Sequence, residues 1–168
     1  MYGSSTGTPP TVGQARYGNA VYIYRPDFSS GDYREGIIDE SDEHVTFAFS
    51  TPYLIGATPA NDSSWGIYEK GCTNGLVLHS SARCQVSVSV DGGYSWQQCG
   101  AMADGLDLTD HVKSQRQYLL RFDAGAKDLA NTGLTMITIC QVNPAILPRL
   151  KDDGSTVRFE ASGTAVTS

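Results

Sequence analysis

Charge is scarce in this chain. Asp, Glu, Lys and Arg make up 18% of its 168 residues, against about 25% in an ordinary soluble domain. There is no apolar run of roughly 18 residues, which excludes a membrane-spanning helix. There is no Cys-x-x-Cys pair, which argues against the common zinc sites. No Gly-x-Ser-x-Gly elbow, His-Glu-x-x-His helix, P-loop or Gly-x-Gly-x-x-Gly turn is present, so the familiar nucleophile, zinc and phosphate motifs are missing. The three histidines, His44, His79 and His111, stand in no motif with a nucleophile. Paired carboxylates for glycoside hydrolysis are spatial and escape such a search, but the acids here lie mostly in loops beside Gly or Ser. The chain is therefore not expected to be an enzyme, and a small glycan-active enzyme is kept as a third reading.

A basic stripe is missing too. The formal net charge is −6. Asp27, Asp32, Glu35, Asp39, Glu40, Asp42 and Glu43 fall within 27–43 against Arg34 alone, and the remainder balances, with eleven acids and eleven Lys or Arg. Nucleic acid is excluded as a partner, while an anionic ligand elsewhere on the surface is not. The acidic segment is read as a solvated loop face or, more sharply, as a structural Ca²⁺ site, which needs about six to eight oxygen ligands. It matches no EF-hand loop.

What the chain does have is Gly (18) and Tyr (9) in quantity, with Ser and Thr, a composition typical of extracellular β-proteins. A chain of this length buries roughly 70% of its unfolded surface, so one domain is expected, and it is expected to be monomeric. Residues 1–18, MYGSSTGTPPTVGQARYG, have neither a charged n-region nor an apolar h-region and so are not a signal peptide. They are read as a flexible linker or a cloning remnant, followed by a single domain over 19–163 and a tail over 164–168. Such a start suggests a domain cut from a longer secreted protein.

Strands are expected over 20–25, 35–38, 44–50, 53–58, 65–68, Leu76–His79, 85–90, 95–99, Gln117–Phe122, 134–142 and 156–161. Short helical turns are expected within 106–116 and 124–132. Turn signals recur roughly every 8–12 residues, the pattern of an all-β sandwich. The fold class is accordingly all-β, a jelly-roll-like β-sandwich of about ten short strands.

Val86, Val88 and Val90 alternate with Ser87 and Ser89, as a half-buried strand does. Asp91-Gly92 then suits a tight hairpin turn, and Trp96 is expected to drop its ring onto the core. A two-residue turn sets Cys84 opposite Cys99, a disulfide candidate, although another loop length shifts the register. A disulfide there would place the protein in an oxidising compartment. Cys140 reads as a buried thiol, and the pairing of Cys72 stays open.

Candidate ligand-binding residues follow from how sugars are held, by aromatic rings on their C–H faces and by planar polar groups that fork to hydroxyls. Tyr53, Asn61, Trp65 and Tyr68 offer this mix around a Pro-bounded loop. His111, Lys113 and Arg116 lead into a strand on which Tyr118, Leu120 and Phe122 form the apolar face, so Gln117 and Arg121 point away from the core. Gln141 and Asn143 follow Ile137 and Ile139 on one face of the long strand. Each has a plainer role available: Trp65 and Tyr68 as core-edge aromatics, Lys113 and Arg116 as solvated charges, Arg121 as partner of an acid on a neighbouring strand, and Gln141 as a partner for sheet-edge backbone groups.

The stretch Ser89-Val90-Asp91-Gly92-Gly93-Tyr94-Ser95-Trp96 fits Ser-x-Asp-x-Gly-x-(Ser/Thr)-Trp and resembles the Asp-box hairpin of sialidases and other bacterial glycan-handling proteins. The segments at 61–78, 86–96, 107–122 and 134–150 look like the β-sandwich modules joined to secreted sialidase-like or polysaccharide-degrading proteins. The resemblance implies a non-catalytic carbohydrate-binding module, outside the cell or at its surface, that keeps a tethered catalytic domain near its polysaccharide, either neutral or anionic (sulfated or uronate-containing). It does not extend to the catalytic propeller of a sialidase. The alternative is a structural or docking domain without a glycan ligand. A binding module should carry aromatic and basic groups on a sheet face, and a docking domain an apolar patch.

Overall fold

The computed structural model describes residues 18–60 and 70–142. The strands expected at 65–68 and 156–161, the tail over 164–168 and all of the expected linker but Gly18, which begins the first strand, lie outside the described residues. Ten strands are described: β1 Gly18–Tyr24, β2 Ile37–Glu40, β3 Val45–Ser50, β4 Leu54–Ile55, β5 Leu76–His79, β6 Gln85–Ser89, β7 Gln97–Ala101, β8 Leu106–Asp107, β9 Gln117–Phe122 and β10 Thr135–Val142. Two four-residue helices, α1 Thr109–Val112 and α2 Ala126–Leu129, fall where helical turns are expected. No helix among the described residues is long and apolar enough to cross a membrane.

All the ladders are antiparallel. The first sheet runs β1-β10-β5-β8, with β4 also on β10, and the second runs β2-β3-β9-β6-β7. The two five-stranded sheets form a β-sandwich of jelly-roll-like arrangement, and the chain crosses between them repeatedly. Period-2 alternation decides what fills the middle. On β9, Tyr118, Leu120 and Phe122 are buried while Gln117 is exposed and Leu119 and Arg121 are half-buried. On β10, Met136, Thr138 and Cys140 turn inward. The sheets meet through Tyr24 on Phe47 and Tyr22 on Phe49, edge to face at 5.9 and 5.4 Å between ring centroids. They are also tied by a buried hydrogen bond of 2.8 Å between the Tyr118 hydroxyl and Thr138 Oγ1. Burial pushes the Tyr118 phenol upward in pKa and the Cys140 thiol up to about 11.

Two expectations need correction. The strand expected at 35–38 starts later, because a 3-10 turn occupies Asp32–Gly36. That turn buries Tyr33 against Phe28, at 4.7 Å between rings, and lets its hydroxyl donate to Glu40 at 2.7 Å. The strand expected at 53–58 is only Leu54–Ile55. Beyond it, the Gly56 N–H donates to Ile139 O and Thr58 pairs with Thr73, so the chain leaves the ladder.

Candidate functional site

The turn between β6 and β7 is longer than the two residues expected, since β6 ends at Ser89 and β7 begins at Gln97. Side chains, not a tight backbone turn, close it. The Asp91 carboxylate accepts from the Ser89 hydroxyl at 2.7 Å, the Ser95 N–H at 2.9 Å and the Ser95 hydroxyl at 2.5 Å. The Gly93 N–H donates to Ser89 Oγ at 2.9 Å. Donors favour the charged carboxylate, and the bonds from Ser95 and Ser89 hold Asp91 down to about 2. Gly92 and Gly93 take φ of 76° and 94°, open to glycine at little cost.

This longer loop resets the register. Val86 faces Gly100, a bulge follows, and Ser87 and Val88 face Gln98 and Gln97. Cys99 is the extra residue, and the Met102 N–H donates to Cys84 O at 2.8 Å, so Cys84 and Cys99 do not stand opposite each other. Both carry free thiols, pushed up in pKa chiefly by burial.

Trp96 also departs from expectation. Its ring lies on the outward side of the second sheet, 4.2 Å from the Arg121 guanidinium carbon. Arg121 is held from below: its Nε donates to the buried Thr46 hydroxyl at 3.1 Å, and its Nη2 stands 3.7 Å from Asp39. Asp39 is in turn bonded to His44 Nε2 at 2.7 Å, and His44 Nδ1 to Ser41 at 2.8 Å. The hairpin lies close to the sheet here. A Cβ on Gly93 would meet Leu119 at 3.4 Å and Trp96 at 3.9 Å. Tyr94, at the tip, is 95% exposed.

Of the described residues expected to bind ligand, Tyr53, Lys113, Arg116 and Gln141 come from segments that meet at β4, where Leu54 pairs with Gln141, the Thr51 N–H donates to Arg116 O and the Ser114 N–H to Ile55 O, while Arg121 lies apart from them. Arg121 is on the outward side of the second sheet, as its strand parity predicts. Gln141 is on the outward side of the first, where a Cβ on Gly56 would touch it. Tyr53 is half-buried against the core. Lys113 is directed to Asp110 at 2.8 Å and to the Cys72 sulfur at 3.4 Å. Arg116 is exposed. Asn61, Trp65, Tyr68 and Asn143 lie outside the described residues.

The acidic segment serves local turns rather than a Ca²⁺ cage. Asp27 accepts from the Ser29 hydroxyl and N–H at 2.6 and 2.9 Å, which lowers its pKa. Glu40 accepts from Tyr33 and Arg34. Among the described residues no group of three or more His, Cys, Asp or Glu is arranged to hold a metal ion.

Two cavities merit comparison. One, of about 80 Å³, lies between the sheets and is lined by Tyr22, Tyr24, Phe49, Tyr118 and Met136. Its hydroxyls are already committed, Tyr22 to Thr51, Tyr24 to the Tyr33 carbonyl and Tyr118 to Thr138. The other, of about 110 Å³, lies beside the hairpin, where Ser89, Ser95, Trp96 and Gln97 meet His111 of α1. The Gln97 and His111 side chains make no hydrogen bond among the described residues.

Sequence reasoning missed Trp96 and Gln97 as surface groups. A signal was available: QQCGA of β7 carries no large apolar side chain, so this strand cannot bury a full face, and what flanks it belongs to the rim.

Compared with known proteins, the chain matches no family model, no curated protein and no solved structure.

Proposed function

We propose that this domain is a non-catalytic carbohydrate-binding module that recognises a polysaccharide outside the cell and holds an attached enzyme against it. The observation that carries the reading is the outward side of the second sheet, where the Trp96 ring and Arg121 guanidinium lie 4.2 Å apart. Gln117 precedes Arg121 on the same face, and Gln98 lies across from Ser87, itself opposite Arg121. A ring with planar guanidinium and amide groups is what sugar hydroxyls and C–H faces require. The Asp91 clamp at the tip, built from the residues that give the stretch its Asp-box likeness, supports kinship with glycan-handling proteins.

Affinity gels test the reading, with neutral and with sulfated or uronate polysaccharides in parallel lanes. The domain should be retarded by at least one class, and Trp96→Ala and Arg121→Ala should migrate as if unbound while keeping a native circular dichroism spectrum. A domain retarded by no polysaccharide sinks the proposal.

One observation favours a second reading, a docking domain. On the outward side of the first sheet Val21 pairs with Ile139, and Ile137 lies between Ile23 and Val77. Val21 is 49% exposed there. Apolar rows of this kind mark contact surfaces. Sedimentation with neighbouring domains of the parent protein, with and without Ile137→Asp, separates this reading from the first.

A further inference from the structure

We infer that the groove beside the hairpin holds a neutral pyranose unit of the polysaccharide. The inference rests on the binding-module reading and gives it a subsite and a ligand class. The groove is formed where Ser89, Ser95, Trp96 and Gln97 meet His111. Trp96 supplies an aromatic wall. The hydroxyls of Ser89 and Ser95 are spent on Asp91. The Gln97 amide and His111 imidazole are uncommitted among the described residues. An amide and a neutral imidazole each offer both a donor and an acceptor, and a sugar hydroxyl needs the same pair.

His111 is placed firmly. It stands on α1 between Thr109, whose hydroxyl accepts the Gly75 N–H at 2.6 Å, and Val112, which is fully buried. Charge decides the ligand class. No Lys or Arg lines the groove among the described residues. Arg121 is engaged with Trp96, Thr46 and Asp39. The Asp91 carboxylate bonds two groove residues, Ser89 and Ser95. Asp91 stands behind Ser89 and Ser95, and Arg121, the cation nearest Trp96, is already engaged, so a sulfate or uronate would find no uncommitted cation lining the groove, whereas a neutral ring needs none.

The test uses the whole domain. Affinity gels carry xylan, mannan or β-glucan as neutral polymers and alginate or carrageenan as anionic ones, with His111→Ala, Gln97→Ala and the surface control Lys127→Ala beside the wild type. The expected result is retardation by a neutral polymer, weakened about tenfold in His111→Ala and Gln97→Ala and unchanged in Lys127→Ala. A heteronuclear NMR titration of the wild type with an oligosaccharide of that polymer guards against variants that do not fold. The Gln97 side-chain amide, His111 ring and Trp96 indole signals should move first. Binding confined to anionic polymers, or to neutral ones with those signals still and both variants unaffected, overturns the subsite and leaves the module reading standing. Binding to no polymer overturns both.

Discussion

On β10, Ile137 and Ile139 face outward beside Val21, Ile23 and Val77; on β9, Gln117 and Arg121 face outward beside Thr46, Ser87 and the Trp96 ring. The inward residues of the same strands are alike in kind, Met136 and Cys140 on one and Leu120 and Phe122 on the other. A sandwich constrains one parity of each strand and leaves the other free. The free parity is therefore where a surface role can be written. β10 reads as a near-continuous apolar run, the pattern of a strand covered on both sides. β9 alternates except at Leu119, which stands half-buried between Gln117 and Arg121 on the outward side, so that side is mixed but carries polar groups at both ends.

The sharpest way to break this contrast is to remove the aromatic from the polar side. Trp96→Ala is expected to weaken polysaccharide binding about a hundredfold, about 2.7 kcal/mol, as read by titration calorimetry, with the fold intact. If binding survives, the polar side is ordinary surface. Next comes Ile137→Asp on the apolar side. It should lower the urea midpoint by the equivalent of about 2 kcal/mol, from lost burial and strand preference, and leave glycan affinity unchanged. An equal loss of affinity would mean that both sides touch the ligand.

Smaller again is Asp91→Ala, which removes the clamp but not the binding groups. Affinity should fall about threefold, through a looser Trp96. The smallest effect is that of pH. The folded carboxyl of Asp91 sits at about 2, below its ordinary 3.8. A lowered folded pKa stabilises the hairpin above the ordinary value, and that support is lost as pH falls through the window between the two. Binding should therefore be flat in its Asp91-dependent part from pH 7 to about 5 and decline below about 4, and Asp91→Ala should lack that decline.

The fold was legible where side chains alternate. Val45, Phe47 and Phe49 suffice for β3, and Tyr118, Leu120 and Phe122 for β9 together with the outward placement of Arg121. An acid partner for Arg121 was legible in kind, and Asp39 stands 3.7 Å from it; its aromatic partner was not. Trp96 reaches Arg121 only because the Asp91 clamp lengthens the loop and the bulge at Cys99 shifts the ladder. A tight turn would have put Cys99 across from Cys84 and Trp96 elsewhere. Lys113 illustrates a second limit. Its charge suggests a ligand contact, but Asp110, one helical turn away, already holds it. Local spacing predicts parity well and partners poorly, because partners depend on loops whose side chains compete with the backbone.

Four residues of helix have almost no stability of their own, yet α1 carries His111. Its permanence comes from the strand-loop it clasps. The N–H groups of Gly71 and Cys72 donate to Asp110, that of Asn74 to Asp107, and those of Gly75 and Leu76 to Thr109. Asp107 also accepts from the N–H and hydroxyl of Thr109. Neither partner can let go alone without stripping the other's polar groups of their partners, and those of Gly75, Leu76 and Thr109 are buried. The helix and residues 71–76 thus make one cooperative opening unit. Their amides should exchange with solvent deuterium at a common rate, slower than those of the hairpin tip at Tyr94.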